Sequence, residues 1–298
     1  MVSNGDGQVI ADDAGKVCLL NTYFNSINVV DDAACPAFQL RTDGRLDDVC
    51  FDANAVRKHC NKMRPKFSSG PDGYPPFLLK QIGPSIAGII AQLFQSFMSI
   101  GRVPSDWKQA IIKPLFKKGA SSDPASYRPI SLTSIFSKLM EKIIVEQMLK
   151  YLLTNNLISK QQHGFLSRRS TATNLIESLN DWTVKMENRQ GQSVAYIDFA
   201  KAFDSVSHPK LLTKLGAYGI GGVLLNWISD FLTGRSHVTR VGHCLSPIAF
   251  ITSGVIQGSC LGPLLFLLYI NDLAEAISAV ATMKMYADDV KLYSNMSA

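Results

Sequence analysis

Apolar positions along the chain alternate between a period near 3.6 residues and short strand-like runs, the pattern of a mixed helix-and-sheet protein. Ile86, Ile89, Ile90, Leu93, Phe94, Phe97 and Met98 recur at helical spacing and predict a core-facing helix ended by Gly101. A longer helix is predicted over 134–153, with Ile135, Leu139, Ile143, Ile144, Met148, Tyr151 and Leu152 on one side. Another is predicted over 172–188, with Ser170 or Thr171 as its N-cap after a polar turn. Helices around Leu211–Leu215 and Leu224–Leu232 are separated by Gly219, Gly221 and Gly222. A helix over 262–278 follows the glycine-bearing turn 253–259. Strands are predicted over 108–116 and 127–132 around the turn Lys117-Lys118-Gly119, and His237–Val241 with Leu245–Thr252 suggests a hairpin around Gly242. Val194-Ala195-Tyr196-Ile197 is continuously apolar and suits a short strand buried on both faces, placing Asp198 at its carboxyl end. Residues 283–293 read as strand, tight turn, strand, with Met283, Met285, Val290 and Leu292 packed inward. Residues 1–60 show no long period beyond short helices near 21–24 and 56–63, and the Ser/Pro/Gly cluster 68–76 marks the entry to the main domain.

Composition narrows the class. The chain has 298 residues, 46% hydrophobic and 18% charged, which indicates a globular protein with a sizeable core and argues against disorder. The first residues lack the basic stretch and apolar run of a secretory leader, and the longest apolar run, 264–270, is too short to span a bilayer, so no membrane partner is expected. Six cysteines form no C-x-x-C pair, and His59-Cys60 lacks a companion at zinc-ligand spacing, so free thiols are expected. The net charge of +6 is uneven: residues 1–60 carry nine acids against five bases, whereas residues 101–170 carry twelve bases against four acids. A basic middle segment fits either a polyanionic partner or an ordinary solvated face.

Candidate chemistry centres on Asp288-Asp289 at the hairpin tip. Neighbouring side chains on a strand point to opposite faces, so both aspartates can serve one site only if the backbone turns there. A solvated acidic turn is one reading. The other is a rigid carboxylate pair that needs a cation, since like charges this close disfavour joint ionisation, and hard oxygen donors suit Mg²⁺. Asp198 supplies a third carboxylate. If its strand neighbours the hairpin, the three form a two-metal site for in-line phosphoryl transfer. Lys117, Lys118 and Arg128 either converge on a triphosphate or sit as surface charges. Arg168 and Arg169, near a helix start, could meet a nucleic-acid backbone. His163 alone reads as a structural or surface histidine.

Several motifs in order then resemble one family. Tyr286-Ala287-Asp288-Asp289 resembles the Y-x-D-D box of reverse transcriptases, and Ala195–Asp204 resembles their first aspartate motif in its LINE-type form. Gly254-Val255-Ile256-Gln257-Gly258-Ser259 with Leu261-Gly262-Pro263 is similar to their G-x-x-Q-G-S-x-L-G-P motif, with Ile256 where Pro is usual. Gly70–Gly73, Tyr127–Leu132 and His163-Gly164-Phe165 are similar to the fingers motifs of non-LTR retrotransposon polymerases, the jockey-like group especially.

The resemblance, covering about 65–298, implies an α+β right-hand polymerase: a linker or helical segment over 1–64, fingers over about 65–190, and an antiparallel palm sheet backed by helices over about 191–298. It implies that the family's helical thumb, and the endonuclease domain that often precedes this polymerase, are missing from this stretch. Two Mg²⁺ ions, replaceable by Mn²⁺, would be held by Asp198 and Asp288, assisted by Asp289. Lys117, Lys118 and Arg128 would neutralise the incoming triphosphate, Phe199 and Phe203 would contact the nucleotide with Phe203 as steric gate, and Gln257 and Gly258 would line nucleotide and template. RNA template, DNA primer and deoxynucleoside triphosphates are the implied partners. The competing reading is a truncated relic, at most a nucleic-acid-binding module without turnover.

Overall fold

The computed structural model describes residues 2–3, 9–31, 34 and 36–295. Strands β1 (Val2–Ser3) and β2 (Val9–Ile10) pair ahead of helix α1 (Asp13–Ser26), which Asp12 caps by accepting from the Gly15 N–H at 2.7 Å. Helices α2 (Ala53–Asn61), α3 (Pro76–Ile82) and α4 (Ala87–Ser99) follow. Next come β3 (Gln109–Phe116), β4 (Tyr127–Leu132), α5 (Ile135–Thr154) and α6 (Thr171–Glu187). Ser170 caps α6 in a capping box with Thr173, satisfying backbone groups that would otherwise be unpaired. The chain continues through β5 (Gln192–Asp198), α7 (His208–Ala217), α8 (Gly222–Leu232), β6 (Arg235–Val241), β7 (Cys244–Leu245) and β8 (Ala249–Ile251). It ends in α9 (Gly262–Ile270), α10 (Leu273–Ile277) and the hairpin β9 (Thr282–Tyr286) and β10 (Asp289–Asn295).

The fold is α+β, with two larger sheets and a helical core besides the short β1–β2 pair. One sheet is mixed, in the order β4-β3-β6-β7 with β8 also on β6; β3 runs antiparallel to β4 and parallel to β6. The other is antiparallel, β5-β10-β9. Between them lies a core in which Phe94, Leu139, Ile144, Leu215, Trp227 and Leu265 are buried. Met283, Met285 and Val290 form a second cluster with Ala274 of α10 beneath the hairpin, as the apolar flanks predicted. On the opposite face α6 lies over β9 and β10 through polar contacts: Lys284 to Glu177 at 2.7 Å, Lys291 to Ser178 at 2.9 Å, and Tyr293 to Asp181.

Three expectations need correction. β5 is not buried on both faces: it is an edge strand, and Tyr196 is 72% exposed. A run of four apolar residues cannot distinguish an edge from a centre. The helix expected over 262–278 breaks at Asn271, whose side chain accepts from the Ser159 N–H at 2.8 Å and donates to the Leu157 carbonyl at 2.9 Å. On α4, Ile90, Phe94 and Met98 are buried against the core, but Ile89 and Leu93 face outward because only one side of the helix meets α2 and α8. Within the described part of the N-terminal segment, α1 packs on β6, β7 and β8, and Asn21 bonds Thr239 at 2.8 Å.

Cys18, Cys50, Cys60, Cys244 and Cys260 are free, while Cys35 lies outside the described residues. Among the described residues no single helix is long and apolar enough to cross a membrane.

Phe94 tests the core. It is fully buried and meets Phe51 and Trp107 edge-on, with ring centroids 5.7 and 6.0 Å apart. Phe94→Ala is expected to cost about 3–5 kcal/mol through lost transfer energy and the cavity left behind, read as a lowered urea midpoint.

Candidate active site

The site begins with strand register. Asp198 at the end of β5 lies opposite Asp289 at the start of β10, and the pairing continues through Ile197–Val290 and Tyr196–Lys291. Directly opposed residues on antiparallel strands carry Cβ atoms about 4.5–5.5 Å apart. On its other edge, Asp289 pairs with Tyr286, so Ala287 and Asp288 form a two-residue hairpin loop. The paired aspartates are thereby divided between a turn and a strand. Ala287 has φ +56° and is buried. That left-handed conformation costs an L-residue about 1–2 kcal/mol and needs support from its surroundings. The segment 161–164 runs against the hairpin: Met285 donates to the Gln161 carbonyl at 2.9 Å and His163 donates to the Met285 carbonyl at 2.8 Å. His163 is structural as expected, buried with Nδ1 2.9 Å from Thr173 Oγ1.

Asp198 and Asp288 line an open cleft of about 630 Å³, together with Lys117, Arg128, Phe199 and Phe203. Gln257 and Gly258 line it as well. Lys118 is exposed beside Lys117 but is not in the cleft wall, and Asp289 sits at its rim outside the lining. Burial pushes the Asp288 carboxyl above its ordinary value; the Asp289 and Asp198 carboxylates push it further, while its own backbone N–H and Arg128 oppose the rise. Asp198 thus acts on Asp288 although ninety residues separate them in sequence.

Phe203 stacks on Phe266 with ring centroids 4.3 Å apart and meets Phe165 edge-on at 6.0 Å. Its ring is wedged from behind and cannot retreat. Gln257 faces the cleft with its amide engaged, donating to both oxygens of Asp204 at 2.8 and 2.9 Å. Asp204 is raised mainly by burial, against which Gln257 and Lys201 act.

The glycines of this turn serve backbone contacts within the protein. A Cβ on Gly258, at φ +120°, would lie 2.4 Å from the Ser131 carbonyl oxygen, and one on Gly254 would lie 2.8 Å from the Asp204 backbone. It is β4 and the 203–206 loop that come near.

Other contributors left little trace in the sequence. Glu141, fully buried on α5, accepts from the Cys260 and Leu261 N–H groups at 2.6 and 3.1 Å and so anchors the turn before α9. Lys201 lines the cleft 5.2 Å from the ring centroid of Tyr23, which α1 contributes. A buried helical acid and a lone aromatic in a polar segment carry no motif that would single them out. Arg169, considered for a nucleic-acid backbone, is occupied within the protein: it donates to the carbonyls of Ser159, Lys160 and Gln162.

Among the described residues no group of three or more His, Cys, Asp or Glu side chains stands ready to cage a metal ion. The donors nonetheless fit Mg²⁺. It usually takes one or two protein carboxylates and completes its shell with substrate phosphates and water. Burial is the main cause of the upward shift of Asp288, and a dication would relieve the smaller part that repulsion from Asp289 and Asp198 adds.

Acids brought together by β5, β10 and the hairpin turn thus share one open cleft with Lys117 and Arg128. Residues 115–298 match the family described as reverse transcriptase (RNA-dependent DNA polymerase), which is more than half of the chain. The chain belongs to the reverse transcriptase family, within the non-LTR, jockey-like group that its motifs resemble. It is 29% identical over 245 residues to the RNA-directed DNA polymerase from mobile element jockey of Drosophila funebris, covering 79% of this chain and 26% of the relative. The Drosophila melanogaster protein of the same name is 33% identical over 207 residues, covering 67% and 22%. A probable RNA-directed DNA polymerase from transposon BS of Drosophila melanogaster is 30% identical over 237 residues, covering 76% and 26%. The chain therefore spans about a quarter of the length of these relatives.

The raised Asp288 carboxyl has a thermodynamic signature. Its protonated form contributes stability that is fully present below the ordinary value of 3.8 and is lost as pH rises through the raised one. In metal-free buffer Asp288→Asn is expected to be more stable than the parent at pH 7 and to lose that advantage below pH about 4, by urea unfolding at both pH values.

Proposed function

We propose that this chain is the fingers and palm portion of an RNA-directed DNA polymerase that joins deoxynucleotides to a primer 3′-hydroxyl on an RNA template. The observation that carries the reading is the register of β5 on β10, which sets Asp198 opposite Asp289 and beside the Asp288 turn. In the reaction the primer 3′-hydroxyl gives up its proton to solvent, its oxygen forms a bond to the α-phosphorus of the incoming nucleotide, and the bond from that phosphorus to the departing pyrophosphate breaks. Asp198 and Asp288, with Asp289 in support, would hold two Mg²⁺ ions. When bound, these neutralise phosphate charge and stabilise the attacking and leaving oxygens.

The remaining work falls to residues of the cleft. Lys117 and Arg128 face the triphosphate, Arg as a two-pronged donor and Lys as a point charge. Lys118, outside the lining, adds long-range attraction. Phe199 and Phe203 form the apolar wall against the sugar. Because Phe266 backs Phe203, a 2′-hydroxyl finds no room there, which favours deoxynucleotides. Gln257, oriented by Asp204, and Gly258, pressed to β4, shape the floor under the nucleotide and template.

Two variants test this reading in primer extension on an RNA template with Mg²⁺. Asp288→Ala is expected to lose at least about 100-fold in extension rate, the scale seen when groups supporting a metal site are removed. Phe203→Ala is expected to keep extension and to raise incorporation of ribonucleotides relative to deoxynucleotides. Equal backgrounds in parent and Asp288→Ala reject the polymerase reading for this chain.

A further inference from the structure

The turn that carries Asp288 cannot hold its own shape. Ala287 is a non-glycine residue at positive φ, and only Tyr286 and Asp289 close the loop around it. The support comes from a residue that none of the site chemistry uses. Gln162 is 1% exposed, and its side chain reaches across to the turn. Its Oε1 accepts from the Ala287 N–H at 2.9 Å and from the Gly164 N–H at 2.7 Å, and its Nε2 donates to the Ala287 carbonyl at 3.4 Å. Both backbone groups of Ala287 are therefore read by one carboxamide, and a buried amide with these partners has one orientation that satisfies them. Gln162 is itself held. Arg169 grips its carbonyl, its backbone bridges to Met285, and a Cβ on Gly164 would lie 2.3 Å from the Ala287 nitrogen, so only glycine lets the two segments close.

The geometry points to Gln162 as a positioning residue: its carboxamide sets the conformation of the Ala287–Asp288 loop and so presents the Asp288 carboxylate to the cleft. This rests on the polymerase reading for its functional meaning, but the clamp is a property of the folded chain alone. Gln162→Met keeps length and removes both hydrogen-bonding ends. Gln162→Glu keeps the acceptor for the two N–H groups and loses the donor to the Ala287 carbonyl.

The test measures amide hydrogen exchange over 286–289 and over α5, together with Mn²⁺ uptake by electron paramagnetic resonance, in the parent, both Gln162 variants and Asp288→Ala. Gln162→Met is expected to speed exchange over 286–289 by about tenfold or more while α5 is unchanged, and to weaken Mn²⁺ binding about 10–100-fold, the range for groups that orient a metal ligand. In extension assays it lowers kcat and leaves the KM for deoxynucleotide unchanged, a split that general destabilisation does not produce. Gln162→Glu recovers part of the exchange protection. Asp288→Ala loses Mn²⁺ and keeps the turn protected. Exchange over 286–289 that is unchanged in both Gln162 variants overturns the proposal. If the parent takes up no Mn²⁺ while Gln162→Met still frees the turn, the clamp stands and the metal reading fails instead.

Discussion

Hydrogen bonding between β5 and β10 is the constraint on which the site depends. Side chains on a strand alternate with a period of two, so a slip of one residue would turn the apolar row of β10 outward and move Asp289 away from Asp198. The register is specified from the buried side. Val290 and Leu292 on β10, with Met283 and Met285 on β9, pack with Ala274, Leu273 and Ile277 of α10, while Lys291 and Tyr293 bond α6 on the other face. A hydrophobic layer below and polar contacts above make one pairing far better than its neighbours. The acidic residues are placed by forces in which they take no part.

The rest of the cleft follows the same division between scaffold and chemistry. Parallel pairing of β3 with β6 and antiparallel pairing with β4 hold Lys117 and Arg128 on the cleft wall. The 253–259 turn is pulled in by Glu141 from one side and by the 203–206 backbone from the other, which sets Gln257 against Asp204 and beside Phe203. A buried carboxylate is costly unless its oxygens are satisfied, and Glu141 meets that condition with Ser137, Cys260 and Leu261. Its satisfaction and the shape of the turn are one arrangement.

Much of this was legible in the linear pattern. The hairpin, its packed flanks, the strand ending at Asp198 and the Ser170 cap all rest on local rules of periodicity, turn chemistry and capping. The convergence of Asp198 with Asp288 and Asp289 was legible only through motif resemblance, because no local rule says which strands will be neighbours. What stayed hidden depends on tertiary partners. The exposure of β5 depends on its place at the edge of its sheet, the break at Asn271 on a carbonyl and an amide more than a hundred residues away, and the engagement of Arg169 on how the 159–162 loop folds back. Gln162 and Glu141 look like ordinary polar residues until their buried partners are seen.

Because β5 is an edge strand whose inner neighbour is β10, the two halves of the acidic site are separated by about ninety residues of chain. On a ribosome adding about 5–20 residues per second, β5 waits several seconds after it emerges before its partner exists. Throughout that interval both of its edges are open and Val194 and Tyr196 are bare, the circumstance in which extended segments pair with the wrong chain. Nascent protein of this kind carries an unpaired strand until the last of the sheet has been made.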